Sequence, residues 1–479
     1  MSRDKITIIG PRPKMSAMQF IIIVCGLLLA LGFSLLLTAC SVIDEDTAGC
    51  QDAAATDRQQ PLAIGFSTGV GDSTATTRAK GFIKDTGIDS SAGDVDIKDV
   101  GFGVFASYTG MHRYSAVTVK PDFMYNDHVY WDDGIPFTYK WTYSPLRYWP
   151  NGEGEVDSET DITGSVPHYV SFFAYAPYSD GDPTDAEDTD AEGLLTTKGA
   201  ADYCITSFSK AHEEGDPWLV YRIIDQDNIA RQVDLLYADG TDDQLLDLTK
   251  KPYVNSTVGV DRVNIPLKHA LACFGEKVTI TLDQKDDPDD DSEEPRAKEA
   301  LLLFSGKTEL RLTKVTIDYE LTPKAKLVLW NHGEPNWQPI VSEVMLEKRT
   351  VTLLDATGEN APNQPVTLFQ SMLQDEKYVE DTNIANYDGD SDKFTWNSAG
   401  NTGLFFIPIE VDGFPQTATI SVSYEVYVQG VKDEAMSATK SHTFLLSQYY
   451  DSFKKGGQRL DEIDVTLTLD NDDDDEDGD

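Results

Sequence analysis

The stretch TISVSYEVYV (residues 419–428) sets Ile420, Val422, Tyr424, Val426 and Val428 at alternate positions. Ser421, Ser423, Glu425 and Tyr427 fall between them. Successive strand side chains point to opposite faces, so a period of two predicts an antiparallel strand with one face on a core and one in water. This reading decides the fold class, because short runs of the same character recur along most of the chain. VGFGVFASYTG (100–110), DFMYNDHVYW (122–131), WTYSPLRYWPNG (141–152), HYVSFFAYAPY (168–178) and QVDLLYAD (232–239) form a first series. They are rich in Val, Phe, Tyr and Trp, are punctuated by Gly, Pro, Asn and Asp, and contain no amphipathic helical pattern of convincing length.

A second series begins with DRVNIPLKHALACFGEKVTITLD (261–283). It continues through LRLTKVTIDYEL (310–321), AKLVLW (325–330), LFFIPIEV (404–411) and EIDVTLTLDN (462–471). The acidic run 283–295 interrupts it as an expected hairpin loop, and a second acidic insert, 180–193, reads as exposed loop. The expectation is an all-β chain of antiparallel sheets in two sandwiches, spanning 61–255 and 256–469. The last ten residues hold eight acids and read as a solvated tail, 470–479.

Charge narrows the function classes. The 479 residues carry 39 basic and 82 acidic side chains, a net charge of −43. Such a surface repels phosphate backbones, which excludes nucleic acid as a partner.

The N-terminus reads as a targeting segment. Arg3, Lys5, Arg12 and Lys14 precede the apolar run FIIIVCGLLLALGFSLLLTA (20–39). By length that run would span a bilayer. Thr38 and Ala39 just before Cys40 instead mark a signal peptide over 1–39, cut between Ala39 and Cys40. The order Leu37-Thr38-Ala39-Cys40 matches the bacterial lipobox, whose cysteine takes a diacylglycerol and becomes the new N-terminus. The chain would then be anchored to a membrane and not span it. Residues 40–60 form an acidic linker, and its Asp44-Glu45-Asp46 cluster resembles the outward-export signal of Bacteroidota lipoproteins. Of the five cysteines, Cys25 lies in the signal and Cys40 is the lipid site. Cys50, Cys204 and Cys273 share no metal-ligand spacing and no disulfide framework; Cys273 reads as a buried small hydrophobe.

Catalytic patterns do not emerge. There is no Gly-x-Ser-x-Gly, His-Glu-x-x-His, P-loop or Cys-x-x-Cys. The seven histidines are scattered singly, and His269 reads as packing. DGDSDKF (388–394) spaces oxygens as Ca²⁺ loops do, but Lys393 and Ala399 replace the Gly and Glu of an EF-hand. No metal, cofactor or enzymatic activity is expected. The aromatic cluster Trp131, Tyr139, Trp141, Tyr143, Tyr148 and Trp149 suits either a sugar-stacking platform or sandwich core, with core favoured.

Taken in order, GFGVFASYTG, FMYNDHVYW, WTYSPLRYWPNG, VSFFAYAPY, VDLLYA, NIPLKHALA and FKKGGQRLDEIDVTLTL resemble the fimbrillin family of Bacteroidales, the subunits of type V pili. The resemblance covers nearly the whole mature chain. It implies two transthyretin-like β-sandwich domains and a structural role in cell-surface fimbriae. Subunits of that family travel as lipoproteins to the outer membrane. A protease then cuts after a basic residue behind the first strand, and a neighbouring subunit's strand fills the groove. Here the implied first strand lies in PLAIGFST (61–68) and the implied cut between Arg78 and Ala79, with Lys80 and Lys84 as nearby alternatives. The implied donor strand carries Ile463, Val465, Leu467 and Leu469. Implied partners are other fimbrial subunits, the outer membrane through the lipid, and a host or bacterial surface ligand. The acidic tail behind the donor strand departs from a repeating stalk subunit and leaves a tip or anchor role open. The rival reading is a surface glycan-binding lipoprotein of a nutrient-uptake system, which requires an exposed Trp and Tyr face. A surface hydrolase forms a third class, with no residues nominated for it.

Overall fold

The structure is a computed structural model of the full chain. It describes residues 63–70, 83–84, 95–115, 119–134, 140–150, 168–181, 204–223, 233–238, 245–246, 248, 260–283, 301–331, 333–340, 346–358, 361–385, 393–398, 403–409, 413–449 and 459–468.

Strands dominate these residues. The first eleven are β1 (Ala63–Val70), β2 (Ile83–Lys84), β3 (Val95–Asp96), β4 (Phe102–Gly110), β5 (Met124–Trp131), β6 (Trp141–Thr142), β7 (Tyr169–Ala176), β8 (Ile205–Phe208), β9 (Trp218–Arg222), β10 (Leu236–Ala238) and β11 (Val260–His269). There follow β12 (Ala272–Asp283), β13 (Thr308–Leu321), β14 (Lys324–Val328), β15 (Asn336–Pro339), β16 (Glu347–Asp355), β17 (Val366–Gln374) and β18 (Lys377–Glu380). The last are β19 (Phe394–Asn397), β20 (Leu404–Phe406), β21 (Thr417–Val428), β22 (Val431–Leu445) and β23 (Arg459–Thr468). The fold is all-β, as the sequence pattern requires; among the described residues helix is confined to short turns such as α1 (Ile97–Val100). No helix among the described residues is long and apolar enough to cross a membrane.

A seven-stranded sheet has the order β1-β11-β10-β7-β4-β5-β6. Its faces feed different cores. Phe102, Val104, Phe172, Ala174, Val263 and Ile265 point to one core, while Phe105, Phe173, Tyr175 and Tyr237 point to the other. Burial on both faces explains why 169–176 reads as a nearly unbroken apolar run and not as an alternation. On the second face Phe105 and Tyr175 meet Phe208 of the sheet β15-β14-β9-β8, at 6.0 and 5.5 Å between rings. Strands β11 and β14 follow residue 255 in sequence, yet they pair with β10 and β9, which precede it; β15 joins the same sheet through β14.

The remaining long strands build two further sheets. One runs β18-β17-β13-β21-β22, with β16 also on β13; the other runs β19-β12-β20, with β23 on the far side of β12. They meet where the Tyr319 hydroxyl donates to the Phe274 carbonyl at 3.2 Å and where Phe369 meets Phe394 at 5.6 Å. β21 contains the alternating stretch 419–428. Its residues alternate buried and half-buried from Ala418 to Val426, and Val428 is half-buried at the strand end. The corner between β11 and β12 falls at Ala270 and Leu271, so the long apolar run 261–283 becomes two strands. A bulge follows at Gly275, with φ of +81°, where a Cβ would lie 3.3 Å from Ile317 and from the Tyr319 hydroxyl.

Candidate functional site

β1 is the terminal strand of the seven-stranded sheet and pairs in parallel with β11, from Ala63 opposite Val260 to Val70 opposite Leu267. Its sequence, AIGFSTGV, alternates small and large residues. Ile64 and Phe66 enter the core, 1% and 3% exposed. Phe66 lies edge-on to three rings, Tyr143 at 5.3 Å, Phe172 at 5.8 Å and Phe102 at 6.2 Å. The intervening Ala63, Gly65 and Ser67 are small, and the last two are half-buried. Burying two side chains of this size is worth roughly 3–6 kcal/mol.

The outer edge of β1 is closed by the turn that follows β6. Ile64 N–H donates to the Arg147 carbonyl at 2.9 Å, and the Tyr143 hydroxyl donates to the Ile64 carbonyl at 2.9 Å. Arg147 N–H in turn donates to the Tyr143 oxygen at 3.2 Å. Ala63 also bridges to Tyr148. Both main-chain groups of Ile64 on the side away from β11 are therefore satisfied, as buried backbone requires. Residues 143–148 act as a clasp over the strand. Arg147 lies 3.8 Å from Asp127. Burial pushes the Asp127 carboxyl up, and the Arg147 charge only partly offsets it.

β23 occupies a comparable place beside β12. It pairs in parallel with β12, with Ile463 opposite Val278, Val465 opposite Ile280 and Leu467 opposite Leu282. Those three side chains are buried, and Asp464 and Thr466 between them are exposed. The first and last described strands thus both lie beside parallel neighbours and insert alternate apolar side chains into a core.

The other sequence-nominated residues divide clearly. Ile463, Val465 and Leu467 are placed as above. Ala39, Cys40, Arg78, Ala79 and Leu469 lie outside the described residues, as do Tyr139, the acidic run 284–295 and most of the loop 388–394. Tyr143 and Trp149 are core residues. Trp131 and Trp141 are half-buried against each other at 5.4 Å, and Trp141 packs on Phe102 at 5.1 Å. Tyr148 is exposed. The aromatic cluster is therefore spent mainly on packing and on the clasp. Cys273 is buried in β12. His269 is buried too, but it is not plain packing, since its Nδ1 lies 2.6 Å from Oδ2 of buried Asp234. That oxygen also accepts from the Ile83 N–H at 3.3 Å, tying β2 to the start of β10. Among the described residues no group of three or more His, Cys, Asp or Glu is placed to hold a metal.

Sequence reading missed the clasp. Tyr143-Ser-Pro-Leu-Arg-Tyr148 has a turn signal in Ser-Pro, but which strand it closes over is set 79 residues away.

No protein-family model and no curated protein matches the sequence. Solved structures do match. A fimbrial protein from Bacteroides vulgatus shares 17% identity with a TM-score of 0.46, covering 85% of this chain and 95% of its own. A candidate cell adhesion protein from Bacteroides uniformis shares 11% identity with a TM-score of 0.29, over 86% and 94% of the two chains. The fimbrial anchor protein Mfa2 from Porphyromonas gingivalis shares 8% with a TM-score of 0.25, over 85% and 90%.

Proposed function

We propose that the chain is a structural subunit of cell-surface fimbriae, of the fimbrillin kind, assembled by exchange of β1 for a strand of another subunit. The observation that carries this reading is the seating of β1. It is a terminal strand held by parallel pairing, a two-residue aliphatic-aromatic anchor and a clasp on Ala63 and Ile64. Its removal opens a ready-made groove lined by unpaired β11 backbone, the situation that β-augmentation satisfies. β23, with Ile463, Val465 and Leu467 on one face, has the form of a strand that a partner's groove would take.

In this reading Cys40 carries the lipid that brings the chain to the outer membrane surface. Cleavage between Arg78 and Ala79 then releases the lipidated segment together with β1. The role is structural and not enzymatic, in two sandwich domains. The description of the structural neighbours as fimbrial and cell adhesion proteins agrees with it. The rival glycan-binding reading loses support because Trp141, Tyr143 and Trp149 pack inward.

The test is N-terminal sequencing with palmitate labelling of protein from sheared filaments and from membranes. A start at Ala79 without lipid in filaments supports the reading. Lipid retained in every pool, with no filament signal, overturns it.

A further inference from the structure

Resting on that reading, we infer that the seat of β1 accepts a strand from a different chain, with small residues at alternate positions and an aromatic ring at the place of Phe66, and that it rejects this chain's own β23.

The seat makes two demands. The first is volume. Phe66 is surrounded edge-on by Tyr143, Phe172 and Phe102, and Trp149 backs Phe172 at 6.0 Å. A pocket built of rings around a ring loses both area and contacts when an aliphatic side chain enters it. The second is smallness on the opposite face, where Ala63, Gly65 and Ser67 lie half-buried or buried. There the Ser67 hydroxyl donates to Asn264 Oδ1 at 3.3 Å.

β23 fails both. Residues 459–471 contain no aromatic residue, so no register brings a ring to the Phe66 position. With Ile463 on the Ile64 position, Val465 takes the place of Phe66 and Asp464 that of Gly65. With Val465 on Ile64, Leu467 replaces Phe66, Thr466 replaces Gly65 and Asp464 replaces Ala63, which is 9% exposed. Either register underfills the pocket and puts a carboxylate at a half-buried or buried position, where partial loss of water makes a charge costly. A second copy also brings another −43 of like charge. The hydrogen bonds of the clasp reach only main chain, at the Ile64 N–H and carbonyl, while its Tyr143 ring forms one wall of the Phe66 pocket. Strand identity is therefore set by the Phe66 pocket and the small-residue face.

The test uses the full-length protein with a specific protease site replacing residues 76–80, so that β1 can be severed. The nicked protein is cycled through denaturant with excess fluorescent peptide. The peptides are residues 63–70, the same with F66L, the same with G65D, and residues 460–469. The native peptide should enter, with each variant and 460–469 weaker by about tenfold or more. Equal binding by 460–469, or by both variants, overturns the inference while leaving strand exchange intact. If no peptide enters, the native one included, strand exchange itself fails and the inference falls with it.

Discussion

At the scale of single residues, Tyr143 shows how one side chain closes a strand. Its hydroxyl donates to the Ile64 carbonyl and accepts from Arg147 N–H, while its ring packs on Phe66. Tyr143→Phe keeps the packing but leaves buried polar groups unpaired, so it should cost about 1–3 kcal/mol in chemical denaturation. Burial pushes the Tyr143 phenol up to about 12, with the Arg147 N–H that donates to its oxygen and the Arg147 charge acting the other way and Asp127 adding to it. It is therefore a neutral hydroxyl at ordinary pH, able to donate and accept as the clasp requires. The sequence placed Tyr143 among core aromatics, which is where it lies, but gave no sign of its bond across 79 residues. His269 is similar. Its burial was legible from the apolar run around it, whereas its partner Asp234, 35 positions away, was not.

At the scale of elements, the hairpins show how local chemistry and pairing agree or conflict. β21 and β22 turn through Gln429 and Gly430, with φ of +53° and +79°, and β17 and β18 through Asp375 and Glu376, with +50° and +67°. Two positive φ values give the turn whose twist matches the strands, for which Gly is the preferred second residue. Glu376→Gly should therefore stabilise the protein by about 0.5–1 kcal/mol, read as a shifted denaturation midpoint. The outer face of β13, β21 and β22 carries a charge network. Glu309 contacts Lys307 and Arg311, and Glu425 contacts the Tyr427 hydroxyl and Lys432. Burial pushes both glutamates up, but these partners outweigh it and hold both below the usual range. A depressed folded-state pKa means stability that is present above the unfolded value and lost as pH falls through the folded one. Asp127 and Asp216 are raised, mainly by burial, and act in the opposite sense. The difference between chains is therefore the informative quantity. Between neutral pH and pH 3, Glu309→Gln/Glu425→Gln should lose less stability than the parent, measured by urea unfolding at each pH. An identical acid limb would show that the network contributes nothing.

At the scale of the whole molecule, charge dominates. A net −43 on 479 residues opposes compaction by self-repulsion, which salt screens. Raising sodium chloride from about 10 to about 150 mM should raise the thermal midpoint by a few degrees; a flat response would show that the repulsion is already relieved locally. The sequence by itself determined the all-β class and the inward residues of strands such as β21 and β23, because a period of two fixes which side chains share a face. It also set the acidic surface. Only the tertiary structure decided which strands become neighbours: that β1 lies parallel to β11, that β14 and β15 join β9 and β8, and that Tyr143 to Tyr148 closes over Ile64. Pairing partners are chosen by long-range packing and by satisfaction of backbone groups, and neither leaves a periodic trace in the chain.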